Sequence, residues 1–151
     1  MERTWVLENE AAQLDFGARL ARALPAALCV YLRGPLGAGK TTLVRGVLRA
    51  LGHTGAVRSP TYTILETYAV EHGEVCHLDL YRLAGAEELE DIGARELFDG
   101  RHTCFVEWPE RGAGWLPPAD LDIAIDMAGT GRRVRVLARG QAGLRTLEAL
   151  T

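Results

Sequence analysis

Residues 34–41 constrain the fold of this sequence more than any other segment, because they read Gly-Pro-Leu-Gly-Ala-Gly-Lys-Thr. The octapeptide matches G-x-x-x-x-G-K-[ST], a loop whose backbone N–H groups surround phosphate oxygens. Its Lys40 is the only lysine of the chain, beside sixteen arginines. A compact ammonium reaches between β- and γ-phosphate oxygens, where a planar guanidinium does not fit. We therefore predict a nucleotide site here, with the Thr41 hydroxyl as a ligand of Mg²⁺.

The segments on either side have the patterns that such a loop requires, a buried strand before it and a helix after it. Residues 27–32 form a short apolar run that is typical of a buried strand. In residues 41–51 the apolar side chains recur at helical spacing, and Gly52 stands where a glycine often ends a helix. The alternative is a glycine-rich turn before an ordinary helix, with a solvated lysine. The order strand, loop and helix favours the phosphate loop.

Length and composition limit the class of protein. The 151 residues, 48% of them apolar, predict a single domain over residues 1–151. No apolar stretch approaches the roughly 20 residues of a membrane span, and the N-terminus lacks a signal-peptide pattern. Cys29, Cys76 and Cys104 are isolated, which argues against a disulfide framework or a zinc site. We expect buried thiols and a cytoplasmic protein without a membrane partner.

Charge is unevenly distributed along the chain, whose net charge is −3. Most of the acidic excess lies in residues 71–111, so the chain as a whole is not a basic nucleic-acid binder. Arg133, Arg135 and Arg139 alternate with apolar residues near the C-terminus and form one basic face. That face is suited to phosphate, RNA or an acidic partner, and a plain solvated strand has the same pattern.

Elsewhere, strand patterns alternate with helix patterns, which indicates an α/β fold with a parallel core and antiparallel additions. The first helix is capped by Asn9 and stopped by Pro25, with Leu14, Leu20, Ala21 and Leu24 inward. Residues 71–73 are interpreted as a hairpin turn. The predicted strands are 4–7, 62–70, 74–81, 103–106, 121–127 and 132–139; the other predicted helices are 10–24, a broken acidic helix at 87–97, and 144–150.

Two strands end in carboxylates that a phosphate loop could use for magnesium and water. Glu107 follows the apolar run 103–106, the usual position of a second magnesium-side acid, although a strand-end carboxylate can also face solvent. Trp108 follows directly. Its side chain could border the nucleotide or simply cover the core. His77, Asp79 and Tyr81 share one face of their strand, which fits either a site or a solvent-facing surface.

A further loop, Ser59-Pro60-Thr61, stands about twenty residues after the lysine. A threonine there can sense the γ-phosphate and Mg²⁺, as in the switch loops of GTPases. An ordinary turn with the same residues is the alternative.

Taken together, five segments resemble one family, TsaE, the ATPase component of the bacterial tRNA threonylcarbamoyladenosine machinery. The segments are residues 34–42, 59–63, 77–83, 87–93 and 106–110, in this order and spacing. The resemblance implies a P-loop NTPase fold, an α/β architecture whose central parallel sheet has flanking antiparallel strands and helices on both faces. It also implies binding of ATP and Mg²⁺, with weak hydrolysis by the isolated chain.

The same resemblance implies partners and residue roles. The partners are a threonylcarbamoyl transferase subunit, which modifies adenosine 37 of tRNA, and its inactive paralogue; ATP hydrolysis resets that complex between turnovers. Lys40, Asp79 and Glu107 are expected to be catalytic, and Thr41 and Glu107 to bind the metal. The expected nucleotide-binding residues are Glu10, Leu36, Gly37, Ala38, Gly39, Lys40, Thr41, Thr42, Thr61, Trp108 and Arg132.

One residue departs from the family pattern, since Pro35 stands where an acidic or polar side chain is usual. Proline removes an N–H donor and fixes φ. The loop can still bind phosphate. Pro35 cannot supply the acidic or polar side chain that is usual at this position.

Three other functions fit parts of the sequence. A small-molecule kinase would use Arg132 and Arg133 as a lid, but the sequence has no lid-like insertion. A GTPase is disfavoured, because the guanine-reading N-K-x-D motif needs a second lysine. A nucleotide-gated binding module would use residues 87–99 as an acidic docking surface.

Overall fold

The computed structural model describes residues 1–25, 27–71 and 73–150. Within these ranges the chain forms seven strands and four α-helices, and 3₁₀ turns cover Ala94–Phe98 and Pro109–Gly112. In chain order the elements are β1 (Glu2–Leu7), α1 (Glu10–Ala23), β2 (Cys29–Arg33), α2 (Lys40–Ala50), β3 (Leu65–Val70), β4 (Gly73–Asp79), α3 (Glu88–Asp91), β5 (Thr103–Glu107), β6 (Leu121–Ala128), β7 (Gly131–Ala138) and α4 (Gly140–Ala149).

The strands form one sheet in the order β1-β7-β6-β2-β5-β4-β3. The central neighbours β6, β2, β5 and β4 are parallel, whereas β1, β7 and β3 pair antiparallel at the two edges. This confirms the predicted parallel core with antiparallel additions. Because parallel strands carry their carboxyl ends at the same edge, the ends of β2, β5 and β4 meet there.

Both faces of the sheet are covered by helical segments. On one face α1, α2 and α4 pack their apolar side chains, among them Phe16, Val47 and Leu147, against the sheet. On the other face Leu89 of α3 and Ala94 of the following 3₁₀ turn pack on β4 and β5. The predicted arrangement of helices on both faces is confirmed.

Helix α1 begins and packs for reasons visible in the sequence. The Asn9 side chain accepts a hydrogen bond from the Ala12 N–H at 2.9 Å, as its capping role predicts. The backbone of this helix lies very close to the backbone of α2. A Cβ at Gly46 would lie 2.4 Å from the Leu14 carbonyl oxygen, and one at Gly17 would lie 2.5 Å from that of Leu43. Two glycines therefore set the spacing of the two helices that flank the predicted loop.

Several predicted boundaries were wrong. Strand β3 begins at Leu65, not at residue 62, because the chain turns through residues 60–63 and Ile64 has a φ of 69°. Helix α4 begins at Gly140, four residues before the predicted start. In α1, Leu20 and Ala21 are buried as predicted, whereas Leu14 and Leu24 are half-buried and the fully buried Phe16 was missed. His72 of the predicted hairpin turn lies outside the described residues.

None of the helices in the described part of the chain has the length and apolar character that crossing a membrane requires.

Gly46→Ala should destabilise the protein even though alanine is the better helix former. We expect the free energy of unfolding to fall by about 1–3 kcal/mol, because the new methyl group meets the α1 backbone. Equilibrium urea denaturation measures this change. The matched control is Ala11→Gly on the exposed side of α1, which should cost about 1 kcal/mol through helix propensity alone. A Gly46→Ala variant as stable as the parent would contradict the proposed close packing.

Candidate functional site

The loop between β2 and α2 has a backbone that requires glycine. Gly34, Gly37 and Gly39 have φ values of 146°, 80° and 104°, a region that favours residues without a Cβ. A Cβ at Gly39 would also lie 2.3 Å from the Gln13 side chain. Helix α2 starts directly after the loop, at Lys40, so its unpaired N–H groups and positive dipole end point toward it. The loop thus presents the anion-binding surface that the octapeptide predicts.

Two side chains from distant elements hold this loop in place. The Ala38 carbonyl accepts hydrogen bonds from Gln13 Nε2 at 3.1 Å and from Arg132 Nε at 2.9 Å. Arg132 Nη2 also donates to the Gly37 carbonyl at 3.3 Å. Since the C=O and N–H of a trans peptide point in opposite directions, these donors turn the Gly39 N–H away from themselves.

Gln13 was not among the predicted site residues, and Arg132 was expected only as a nucleotide-binding residue. Arg132 does line the cleft beside Glu10, but its guanidinium donates to carbonyls of the loop and of Gly131. A signal for Gln13 existed, because it stands three residues before the buried Phe16 and four before Gly17. A polar side chain at an inward helical position needs a partner, here Ala38.

Asp79 and Glu107 lie at adjacent strand ends, paired in register across β4 and β5. Each is 3% exposed, so the solvent-facing alternative for both carboxylates is wrong. Thr41 Oγ1 donates to Glu107 Oε2 at 3.3 Å, and Thr61 Oγ1 donates to Asp79 Oδ2 at 3.0 Å. The structure therefore brings two hydroxyls and two carboxylates from four segments into one cluster.

His77 completes this cluster from beneath. Its side chain is fully buried, and its Nε2 lies 2.5 Å from Glu107 Oε2. The strand face that carries His77 and Asp79 is therefore covered, which favours the site interpretation over a solvated sheet surface.

Lys40 lies among these acidic groups and beside an indole. Its side chain is 5% exposed, and Nζ donates to the Gly34 carbonyl at 2.5 Å. Nζ is also 4.3 Å from the Trp108 ring centroid, a distance typical of a cation–π contact. Burial lowers the pKa of Lys40 below its ordinary value, and the charges of Glu107 and Asp79 oppose that shift.

Clefts on either side of the loop are lined by all of the predicted nucleotide-binding residues except Ala38 and Trp108. The first cleft, of about 220 Å³, adjoins the carboxylates; the second, of about 250 Å³, lies between α1 and the β6–β7 turn. Gly37, Gly39 and Thr42 line both. The first is also lined by Leu36, Lys40, Thr41, Thr61, Asp79 and Glu107, and the second by Glu10, Gln13 and Arg132.

The donor atoms of the first cleft fit Mg²⁺. Carboxylate and hydroxyl oxygens are hard ligands, which this cation prefers. Among the described residues, however, no group of three or more His, Cys, Asp or Glu side chains is placed to hold a metal ion alone. The cleft therefore suits a cation whose remaining ligands are phosphate oxygens and water rather than a protein cage.

Comparison with known proteins agrees with this architecture. Residues 7–135 match the family model "Threonylcarbamoyl adenosine biosynthesis protein TsaE". The chain belongs to the TsaE family. That assignment confirms the resemblance inferred from the sequence.

Named relatives cover almost the whole chain. The tRNA threonylcarbamoyladenosine biosynthesis protein TsaE of Haemophilus influenzae is 42% identical over 153 residues, which cover 98% of this chain and 97% of the relative. The protein of the same name from Treponema pallidum is 39% identical over 120 residues, 78% of this chain and 87% of the relative. The crystal structure of Bacillus subtilis YdiB matches with a TM-score of 0.82 at 31% identity, covering 99% of this chain and 94% of that one.

Removing the Gln13 donor should weaken nucleotide binding without unfolding the protein. Gln13→Met keeps the size of the side chain and leaves the Ala38 carbonyl with Arg132 alone. We expect about fivefold weaker binding of a fluorescent ATP analogue, since a neutral hydrogen bond contributes roughly 1 kcal/mol.

Gln13→Glu is the matched control, because it keeps the shape but places a carboxylate against the Ala38 carbonyl. It should weaken binding more than Gln13→Met does. Parental affinity in both variants would rule out a contribution of Gln13 to the loop.

Proposed function

We propose that this chain is the Mg²⁺-dependent ATPase of tRNA N6-threonylcarbamoyladenosine synthesis, a single domain over residues 1–151. One observation carries the proposal: Lys40, Thr41, Asp79 and Glu107 converge beside the loop, with Thr41 Oγ1 at 3.3 Å from Glu107 Oε2. An ammonium, a hydroxyl and two carboxylates around a phosphate loop are the groups that phosphoryl transfer from ATP requires. The family's place in threonylcarbamoyl adenosine biosynthesis supports the pathway.

We propose a role for each of these residues from its position in the cleft. The N–H groups of the loop and of the first turn of α2 bind phosphate oxygens, together with Lys40 and Thr42. Thr41 and Glu107 would hold Mg²⁺, which when bound neutralises charge on the β- and γ-phosphate oxygens. Asp79 would accept a hydrogen bond from the attacking water, and Thr61, which donates to Asp79 Oδ2, would orient that carboxylate.

Features of the same cleft support slow hydrolysis by the isolated chain. The Lys40 ammonium already donates to the Gly34 carbonyl and lies on the Trp108 ring, so phosphate must displace those contacts. Thr61 lies on a loop outside any helix or strand, where a partner can move it relative to Asp79. A subunit that reorders these groups would accelerate the reaction.

We propose the threonylcarbamoyl transferase subunit and its inactive paralogue as these partners, with tRNA bound in the same complex and the cytoplasm as the location. The groups gathered in the cleft suit phosphate and magnesium chemistry, so transfer of threonylcarbamoyl to adenosine is assigned to the partner. Hydrolysis of ATP would then reset the complex between turnovers.

The deciding experiment measures ATP hydrolysis by the purified chain, alone and mixed with the two partner subunits and tRNA. We expect slow turnover that rises on mixing. Lys40→Ala should reduce it at least about a hundredfold, as loss of a group that stabilises transition-state charge does. Arg22→Ala, which removes an exposed cation in the last turn of α1 and outside both clefts, is the matched control. Turnover that is unaffected by the partners would count against the proposed role.

Trp108 should report nucleotide binding through its fluorescence. When phosphate draws the Lys40 ammonium away from the indole, the emission of Trp108 is expected to change. Trp108→Phe should abolish that change while Trp5 and Trp115 continue to emit. If the Trp108→Phe variant shows the same change on adding ATP, Lys40 does not move in the expected way.

A further inference from the structure

His77 has no part in the roles assigned above, although it lies inside the site. Its side chain has no exposed surface and stands two residues before Asp79 on β4. Its Nε2 lies 2.5 Å from Glu107 Oε2. Its Nδ1 is buried and has no hydrogen-bond partner among the described residues. One side of the ring is therefore paired with the site, and the other side is not paired within the described chain.

Core packing does not explain a histidine with this arrangement. A buried polar atom without a partner destabilises a fold, whereas an apolar side chain of similar size carries no such cost. The contact of Nε2 with Glu107 is the specific interaction that an apolar residue would lose. The carboxylate favours the tautomer with the proton on Nε2, so that His77 donates and Glu107 accepts.

The two donors that reach Glu107 bind the same oxygen. His77 Nε2 approaches Oε2 from β4, and Thr41 Oγ1 approaches it from α2 at 3.3 Å. The carboxylate can rotate only by breaking both hydrogen bonds, so the direction of its second oxygen is fixed as well. Thr41 leaves Glu107 whenever its hydroxyl takes another partner, and His77 is then the donor that remains.

We propose that His77 is a positioning residue that holds the Glu107 carboxylate in the orientation required for binding the Mg²⁺–nucleotide complex. The inference rests on the proposed function of Glu107 as a magnesium-side acid. His77 lies behind Glu107 and has no exposed surface, so it acts through that carboxylate rather than on the substrate. Donors behind a metal-binding carboxylate fix its direction in this way in many metal sites.

A pair of variants separates donation from volume. His77→Gln keeps an N–H donor at a similar reach, whereas His77→Met has a similar volume and no donor. The readout is the affinity for a fluorescent, non-hydrolysable ATP analogue with and without Mg²⁺. In the parent, Mg²⁺ should tighten binding. His77→Gln should keep most of that increase in affinity. In His77→Met the affinity in the presence of Mg²⁺ should be about tenfold lower, or lower still, than in the parent. Without Mg²⁺, the parent and both variants should bind the analogue equally.

His102→Met is the matched control. His102 Nδ1 also contacts a carboxylate, Asp99 Oδ1 at 2.9 Å, but this pair lies outside both clefts. Its loss should leave the effect of Mg²⁺ unchanged. Equal losses in His77→Gln and His77→Met, or no loss in His77→Met, would overturn the positioning role. A parent whose nucleotide affinity ignores Mg²⁺ would instead refute the proposed function of Glu107.

Proton NMR of the nucleotide-free protein tests the contact without relying on a folded His77→Met variant. A buried, hydrogen-bonded Nε2–H should give a slowly exchanging resonance far downfield. The resonance should be absent in His77→Gln and shifted in Glu107→Gln. A parental spectrum without such a resonance, or one that Glu107→Gln leaves unshifted, would overturn the inference.

Discussion

The candidate site depends on the parallel register of β2, β5 and β4. The hydrogen-bond ladder pairs Leu32 with Glu107 and Glu107 with Asp79, so the three strands end at the same level. The loop that leaves β2 therefore begins next to both carboxylates. Because side chains alternate between faces, a slip of one residue would move Asp79 or Glu107 to the opposite side of the sheet. The pairing of the backbones thus determines which side chains meet at the site.

Burying charged side chains at one sheet edge is costly, and the structure offsets the cost with hydrogen bonds. Asp79 accepts from the Thr61 hydroxyl and from the Tyr81 N–H, and Glu107 accepts from His77 and Thr41. Lys40 is nearly buried as well, and burial lowers its pKa while both carboxylates oppose the shift. Replacing such charges with apolar groups often leaves a fold equally stable. Stability alone therefore does not explain the arrangement, which fits the proposed phosphate and metal chemistry.

Much of this fold could be predicted from local sequence patterns. The octapeptide predicted the loop and the start of α2, and apolar runs and alternation located the strands, because both signals arise from neighbouring residues. The turn at Ile64 could not be predicted. A β-branched residue with positive φ is rare, and β-branched residues favour strands.

The contacts within the site were harder to foresee than its members. Gln13 and Ala38 are 25 residues apart, and His77 and Glu107 are 30 apart, so no local pattern joins them. Alternation showed that His77 and Asp79 share a face, but whether that face is covered depends on elements far along the chain. The strand pattern suggested Glu107 as a magnesium-side acid, and the family resemblance supplied the expected role of Asp79. The geometry supplied the partners of each side chain.

The site combines stiff and compliant parts. Asp79, Glu107 and His77 lie on β4 and β5, each of which is paired with a strand on both sides. Thr61 lies on a connecting segment, and Lys40 has a long side chain that rests against Trp108. The parts of the site with most freedom to rearrange are therefore the segment that carries Thr61 and the side chain of Lys40. In the proposed function, a partner subunit that moves these two groups would control hydrolysis while the paired strands keep their register.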